Sequence, residues 1–395
     1  MKIAWICHFS NAEVRKALKL SDQVHSFAPW ITNTIKVFEN NPEHELHVIA
    51  PHRFLKRSTS FETEGVHYHF FNPGIPFWGR QWPSFFRWDL WTGFKKNNKK
   101  VGNWVNAIKP DVIHLQGAEN AYYSSSIFQF QGRYPIVVNL QRMDPSFYYD
   151  LSREAKTRRA VEEKILKNFP HFSIRTQTME QDLLSVNPNA QTHWVRYHIP
   201  QPRACETCPK QYDLVFFARV SPSKGIEDLL RAAGTLTGEI PGLSLCIIGG
   251  VSSSYREYLN EMAAPSGLRL VWKGLLPEID DVHKEACKAR VSVLPTHQDI
   301  IPGTIVESMQ LGIPVVSYKV GSIPELNAEN ESLLLVEKGD IQGLAVQIKK
   351  LLTDEEYAAQ LAQQAQRTIN KFIVSEDVLG QHIACYTCVM EDFHK

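Results

Sequence analysis

The chain has 395 residues, of which 43% are hydrophobic and 22% charged, with a formal net charge of +1. That length accommodates two domains with sizeable cores, and the near-neutral balance excludes a global field suited to nucleic acid. No apolar run reaches the length of a membrane span, and the start, "MKIAWICHF", turns polar too soon for a secretion signal and reads as a buried first strand, so a cytoplasmic protein is expected.

In chain order, short apolar runs bounded by turn residues alternate with helical patterns. In the first half strands are expected at "KIAWIC", "ELHVIA", "VHYHFF", "DVIHLQ", "PIVVNL", "HFSIRT" and "THWVRY". Helices are expected at "PWITNTIKVFENN", "GNWVNAIK" and "KTRRAVEEKILKN". In the second half strands are expected at "YDLVFFAR", "LSLCIIGG", "LRLVWKG", "RVSVLPT", "PVVSYK" and "SLLLVE", with helices at "GIEDLLRAAGTL", "SSYREYLNEMAA" and "IVESMQLG". Continuous apolar strands alternating with helices mean parallel sheets covered on both faces. Two such series imply two doubly wound domains.

The proline-rich, aperiodic stretch 198–211 reads as a linker between a first domain, 1–197, and a second, 212–372. A last helix, 373–395, is expected to pack back towards the first domain. Seven cysteines are present. Cys7, Cys246 and Cys287 read as small apolar core residues. Cys205 with Cys208 and Cys385 with Cys388 form two C-x-x-C pairs, but they are too far apart for a zinc ribbon, and cysteines without a metal are the preferred reading.

One window is unusual. Between residues 72 and 104 lie Trp78, Trp82, Trp88, Trp91 and Trp104, with Arg80, Arg87, Lys95, Lys96, Lys99 and Lys100 against the single acid Asp89. Trp88, Trp91 and Phe94 recur at helical spacing, so part of the cluster can be core. Phe77, Trp78, Trp82 and the four lysines exceed what one short helix buries. Aromatics beside lysines suit a membrane interface or a lipid-linked acceptor, so peripheral membrane contact is expected through 77–100.

Ligands of doubly wound sheets bind beyond the carboxyl ends of strands. In "FFARVSPSKGIEDLL" Arg219 and Lys224 follow a buried strand and precede a helix start, whose free N–H groups and partial positive charge favour anions. Two cations there suit a diphosphate, although the stretch also reads as an ordinary loop with solvated charges. In "LPTHQDIIPGTIVESMQLGIPVVS" Asp299 lies in a loop, Gly303 and Thr304 open a helix, and Glu307 lies one turn on. Glycine permits close backbone approach, and carboxylates accept from sugar hydroxyls. Cationic clamp plus acids suits a nucleotide sugar.

The stretches "ARVSPSKG", "DIIPGTIVESMQLGIPVVSYKVGSIPEL" and "ESLLLVEKGD" resemble glycosyltransferase family 4, strongly over 213–352 and more weakly in the first half, where "KPDVIHLQG" is similar to a family strand. The resemblance implies the GT-B fold, with two Rossmann-like doubly wound parallel-sheet domains facing a cleft. It implies a retaining glycosyltransferase that moves a sugar from a UDP- or GDP-linked donor to a saccharide or lipid-linked acceptor, in bacterial surface polysaccharide or glycoconjugate synthesis. Arg219 and Lys224 would hold the diphosphate, Asp299 the transferred sugar and Glu307 the ribose, with Gly303 and Thr304 donating backbone N–H groups. Arg219, Lys224 and Asp299 form the expected catalytic set, with negative charge on the leaving group stabilised electrostatically. No metal or other cofactor is expected, and no D-x-D sequence occurs.

The sequence departs from the family in three places. Asp299 replaces a glutamate, Ile300-Ile301-Pro302 replaces a glycine-phenylalanine-glycine, and Gln116 stands where relatives carry a histidine. His114 is expected to face the core. His8, Asn11 and Gln116 are the acceptor-side candidates. These departures also suit a noncatalytic nucleotide-sugar-binding or scaffold protein, which is the alternative reading.

Overall fold

A computed structural model describes residues 1–20, 27–52, 54–55, 57–73, 88–141, 152–202, 208–373 and 377–395. The chain divides into two compact units, one of residues 1–199 with 377–395 and one of 200–376.

The first unit is built on an eight-stranded sheet. Its strands are β1 (Lys2–Ile6), β2 (Glu45–Pro51), β3 (Thr59–Thr63), β4 (Val66–Phe71), β5 (Val112–Gln116), β6 (Ile136–Asn139), β7 (His171–Ile174) and β8 (Gln191–Trp194). Their order is β3-β4-β2-β1-β5-β6-β7-β8. All pairings are parallel except β3 with β4. Strand order reverses between β1 and β5, so the carboxyl ends of those two strands flank the crevice where such sheets take ligands. Helices α1 (Ala12–Ala17), α2 (Pro29–Ile35), α3 (Trp88–Trp91), α4 (Lys95–Ile108), α5 (Ala121–Ser124), α6 (Arg153–Asn168) and α7 (Gln177–Val186) connect the strands. Several helix starts are fixed by side-chain caps: Asn11 accepts from Val14 N, Ser152 from Ala155 N and Thr176 from Met179 N.

β3 was not anticipated. Its sequence, "TSFET", is polar and largely exposed, so it lacks the apolar run that marks a buried strand. The turn explains the pairing. Glu64 and Gly65 have φ of 50° and 74°, and a two-residue hairpin with two left-handed residues matches strand twist.

The second unit carries β9 (Tyr212–Phe217), β10 (Ser244–Ile248), β11 (Arg269–Gly274), β12 (Ala289–Leu294), β13 (Val315–Tyr318) and β14 (Leu334–Val336). The order is β11-β10-β9-β12-β13-β14, parallel throughout. This is the doubly wound 3-2-1-4-5-6 arrangement, with its reversal between β9 and β12. The connecting helices are α8 (Ile226–Leu236), α9 (Ser253–Ala263), α10 (Ile279–Ala286), α11 (Gly303–Gln310), α12 (Ile341–Thr353) and α13 (Glu355–Ile373). Strands such as β10 are buried at every residue, as expected when both faces are covered.

The final helix, α14 (Val378–Phe393), belongs to the first unit. Cys385, Tyr386 and Val389 join the core formed by Trp5, Phe38 and Val112. Tyr386 Oη accepts a hydrogen bond from Trp5 Nε1 at 2.9 Å and pairs with His114 Nδ1 at 2.8 Å. A fully buried indole N–H needs such a partner, and α14 supplies it.

Candidate functional site

The second unit brings both predicted motifs to the reversal between β9 and β12. β9 ends at Phe217, so Arg219 lies exposed just beyond it. A single 3-10 turn, Pro222–Lys224, follows and carries Lys224. Gly225 then adopts φ +74°, and a Cβ there would lie 1.8 Å from the Pro295 carbonyl. Only glycine lets the β9 and β12 loops approach this closely. The contact is reinforced by His297 N donating to Ser223 O at 2.9 Å.

The close approach sets Lys224 on Asp299. Nζ donates to Oδ1 at 2.8 Å and to Oδ2 at 2.6 Å, with both side chains 21% exposed. Thr296 Oγ1 also donates to Asp299 Oδ2, at 2.6 Å. Gly321, φ +51°, would place a Cβ 1.9 Å from the Asp299 carbonyl, and Ser322 N donates to Ile300 O at 3.0 Å. The 296–302 loop is therefore held from two sides. In this arrangement the Asp299 carboxylate holds Lys224 as well as Thr296 of the loop after β12.

α11 opens the other wall. Pro302 is its N-cap and has no side-chain cap bond. The first-turn N–H groups of Gly303 and Thr304 have no intrahelical acceptor, so they suit an anion. The Thr304 hydroxyl donates to Phe217 O at 2.9 Å, which seats this helix start on the end of β9. Glu307 is four residues past Gly303 on the same helix face. Its Oε1 lies 3.5 Å from where a Gly303 Cβ would sit, and its Oε2 is 3.4 Å from Nε2 of the buried His283.

Sequence reasoning missed a second layer. Asp228, 7% exposed in the first turn of α8, accepts from Tyr318 Oη at 3.0 Å and pairs with His297 Nε2 at 2.7 Å. Arg231 Nη1 donates to its other oxygen at 3.3 Å. Burial, with the Asp228 carboxylate second, raises the Tyr318 phenol well above its usual range, so the hydroxyl stays a donor. This network ties α8, β13 and the 296–302 loop together behind Lys224. The available signal was an acid in the first turn of a helix and a histidine three residues beyond a strand.

The acceptor-side candidates lie in the first unit, at the β1–β5 reversal. His8 is half-buried beyond β1, hydrogen-bonded to the Tyr122 hydroxyl and edge-on to Phe27 at 4.6 Å. Asn11 caps α1, its Oδ1 accepting from Val14 N at 2.8 Å. Gln116 is 2% exposed, and its side chain is engaged internally: Oε1 accepts from Asn139 Nδ2 at 2.6 Å and Nε2 lies 3.2 Å from His114 Nδ1. It is thus a buried bridge between β5 and β6. His114 is 1% exposed, and burial drives its basicity far down, assisted by His382 and His193.

Of the tryptophan-rich window, residues 74–87, including Phe77, Trp78, Arg80, Trp82 and Arg87, lie outside the described residues. Phe94 is buried at 3%, whereas Trp91 is 62% exposed with the Arg153 guanidinium 4.4 Å over its ring. Lys95, Lys96 and Lys99 are exposed, but Lys100 turns inward and donates to Asn72 O at 2.7 Å. The four lysines are therefore not equivalent. Among the cysteines, Cys205 lies outside the described residues. Cys385 is buried and Cys388 exposed, both as free thiols one turn apart on α14. Cys287, read from sequence as a small apolar core residue, is buried and also disulfide-bonded.

Comparison with known proteins places this geometry. Residues 203–368 match the family described as "Glycosyl transferases group 1". Among curated proteins, the chain is 29% identical over 196 residues to a D-inositol 3-phosphate glycosyltransferase of Salinispora tropica, covering 46% of this chain and 41% of that protein. The chain spans about half the length of the curated relatives it matches. Among solved structures, sucrose-phosphate synthase from Thermosynechococcus elongatus superposes with a TM-score of 0.74 at 16% identity, covering 99% of this chain and 100% of that one. Anabaena HepE in complex with UDP-glucose superposes at 0.65 and 16% identity, covering 100% and 99%. The fold is that of the GT-B glycosyltransferases, and residues 203–368 of this chain resemble group 1 of the glycosyl transferases.

Proposed function

We propose that this protein is a retaining glycosyltransferase that needs no metal for transfer and moves a sugar from a UDP- or GDP-linked donor to a saccharide or lipid-linked acceptor in polysaccharide or glycoconjugate synthesis. The observation that carries this reading is the Lys224–Asp299 pair, with Nζ 2.8 and 2.6 Å from the two carboxylate oxygens, set at the reversal between β9 and β12 beside exposed Arg219 and the start of α11. An ammonium has three donors. Two are engaged by Asp299, which leaves the third for a phosphate oxygen without breaking the pair. Arg219 and the Gly303 and Thr304 N–H groups supply the remaining positive charge. As the sugar–phosphate bond breaks, negative charge grows on the diphosphate, and donors already in place stabilise it without reorganising. Glu307 accepts from the ribose hydroxyls. Asp299 both fixes Lys224 and offers its remaining lone pairs to the transferred sugar. The leaving phosphate is the proton acceptor for the incoming hydroxyl, so no carboxylate pair of the hydrolase kind is required.

The HepE structure with UDP-glucose supports a nucleotide-sugar donor. We further place the protein at the cytoplasmic face of the plasma membrane, with 77–100 as the contact. Support comes from exposed Trp91 beside exposed Lys95, Lys96 and Lys99, while Lys100 serves internal packing. Among the described residues no helix is long and apolar enough to cross a membrane.

The test is a screen of UDP- and GDP-sugars by thermal shift, since a ligand that binds only the folded state stabilises it. Turnover of the selected donor follows, with the anomeric configuration of the product read by NMR. Stabilisation by one nucleotide sugar and a product of unchanged configuration is the expected result. An inverted product overturns the retaining assignment, and binding without hydrolysis or transfer favours a noncatalytic binder.

A further inference from the structure

On one face of the β3-β4-β2-β1 edge of the first unit, the pleat lines up a set of side chains unrelated to the crevice described above. Glu45 and His47 are two apart on β2 and so point the same way. His47 stands opposite His67 of β4, and His67 opposite Glu62 of β3. One oxygen of Glu45 is shared: Oε1 is 2.8 Å from His47 Nε2 and 3.6 Å from His67 Nε2. One ligand atom from each of these three residues lies within 4.8 Å of the others, and among the described residues this is the one such His/Cys/Asp/Glu group.

We propose that Glu45, His47 and His67 bind a divalent ion of the zinc type, as a staple across β2 and β4. A tetrahedral ion with bonds of about 2.0–2.2 Å separates its donors by roughly 3.4 Å. The observed 2.8 and 3.6 Å bracket that spacing, so small side-chain rotations complete the site. Two imidazoles and a carboxylate suit zinc, cobalt or nickel better than calcium or magnesium.

The outer partners support the assignment. Zinc-bound histidines donate their second N–H to a fixed acceptor. His67 Nδ1 is 3.3 Å from Glu62 Oε2. His47 Nδ1 is 3.1 Å from His69 Nε2, and His69 Nδ1 is 2.9 Å from Ser60 Oγ. Without metal, His47 Nε2–H donates to Glu45. When the ion takes Nε2, the proton resides on Nδ1 and is donated to His69 Nε2. His69 then carries its proton on Nδ1 and donates to Ser60. Both imidazoles change tautomer and stay neutral, so the chain of hydrogen bonds reverses with no net proton change. Lys2 Nζ, 3.6 Å from Glu45 Oε2, faces the other carboxylate oxygen and fixes its orientation. Glu45 also lines a surface cleft with Met1, Lys2, Asn41 and Asp111. The site lies near the amino end of β2 and β4, away from the carboxyl edge where such sheets bind substrates, so its role is to hold the sheet edge.

The test titrates the chelator-stripped full-length protein with Zn²⁺ by calorimetry, and with Co²⁺ by visible absorption. The expected result is one ion per chain, a Zn²⁺-dependent rise in Tm, and the intense visible bands of tetrahedral cobalt. Glu45→Gln and His67→Ala, both at partly exposed positions, should each weaken Zn²⁺ binding by roughly 100-fold or more, and Glu62→Gln by about 10- to 100-fold. Far-UV circular dichroism shows that each variant is folded. The proposal is overturned if the parent binds no Zn²⁺, or if folded Glu45→Gln and His67→Ala bind it like the parent, which would place the ion on other ligands such as the cysteines. Turnover of a nucleotide sugar does not depend on either result, so the site and the glycosyltransferase reading fail separately.

Discussion

Lys224 grips both carboxylate oxygens of Asp299, at 2.8 and 2.6 Å, although 75 residues separate them. One residue ends the turn after β9 and the other lies in the loop after β12. The pair therefore spans the strand reversal, and it makes Lys224 and Asp299 a coupled pair.

Lys224→Ala should cost more nucleoside diphosphate affinity than Arg219→Ala, because it also leaves Asp299 as an uncompensated negative charge facing the phosphates. Lys224→Ala with Asp299→Asn should recover part of that loss. The coupling expected for directly paired charges is about 0.5–3 kcal/mol. UDP and GDP titration of the four proteins in the cycle measures it. Purely additive losses would mean that the pair does not act on the ligand together.

Glu307→Gln should weaken nucleotide binding, whereas Asp299→Asn should leave it within a few-fold and lower transfer much more. The first removes a charged acceptor for ribose; the second removes the carboxylate that positions Lys224 and faces the sugar. Charge-assisted hydrogen bonds of this kind contribute about 1.5–3 kcal/mol, or roughly 10- to 100-fold. Separate measurement of Kd and kcat distinguishes the two. Equal effects of both substitutions on Kd alone would remove Asp299 from the transfer step.

Much of this site was legible in sequence. Gly303, the cations 219 and 224, and the acids 299 and 307 carry local signals: strand ends, helix starts and a glycine that permits close backbone approach. The bridge from Lys224 to Asp299 and the Asp228–His297–Tyr318 layer were not legible, because they depend on which loops the strand order brings together. Gln116 was a candidate because relatives carry a histidine at that place, and the sequence held no sign that Asn139 on the neighbouring β6 would engage its side chain. Likewise β3 is stabilised by its turn and its partner rather than by its own apolarity, so no periodicity announced it.

Protonation of buried imidazoles should make the protein less stable in mild acid. Burial holds His382 and His193 at about 4 and also pushes His114 well down, against about 6.5 in an unfolded chain. Between about 4 and 6.5 the unfolded state binds more protons, so stability rises with pH through that window and is complete above it. For the fully buried His382 the difference amounts to roughly 3 kcal/mol below pH 4. Urea midpoints at pH 7 and pH 5 check the direction, and His382→Phe should flatten the slope. A midpoint that does not fall on acidification would contradict the buried neutral assignment.

Liposomes containing anionic lipid should sediment the protein at low salt and release it at high salt. Lys95, Lys96 and Lys99 carry this effect, each contributing about 1 kcal/mol near the surface. Their joint replacement by glutamine should abolish sedimentation. Lys100→Gln should instead lower Tm, because its ammonium donates to Asn72 O. A parent protein that stays in the supernatant at low salt would remove the membrane contact from the proposal.

Tyr386→Phe should destabilise the protein by about 1–3 kcal/mol, since it strips a buried indole N–H of its acceptor. Chemical denaturation of parent and variant measures it, and an unchanged midpoint would mean that the hydroxyl is dispensable.

The position of α14 has a consequence for synthesis. Residues 200–376 form a contiguous unit, whereas the first unit needs residues from both sides of it. On a ribosome the second unit can close as soon as its last strands and helices emerge. The amino-terminal unit, made earlier, must wait with Trp5 and His114 uncovered until Tyr386 is translated. A nascent chain halted before residue 377 would therefore hold every residue of the second unit while the first still lacked α14.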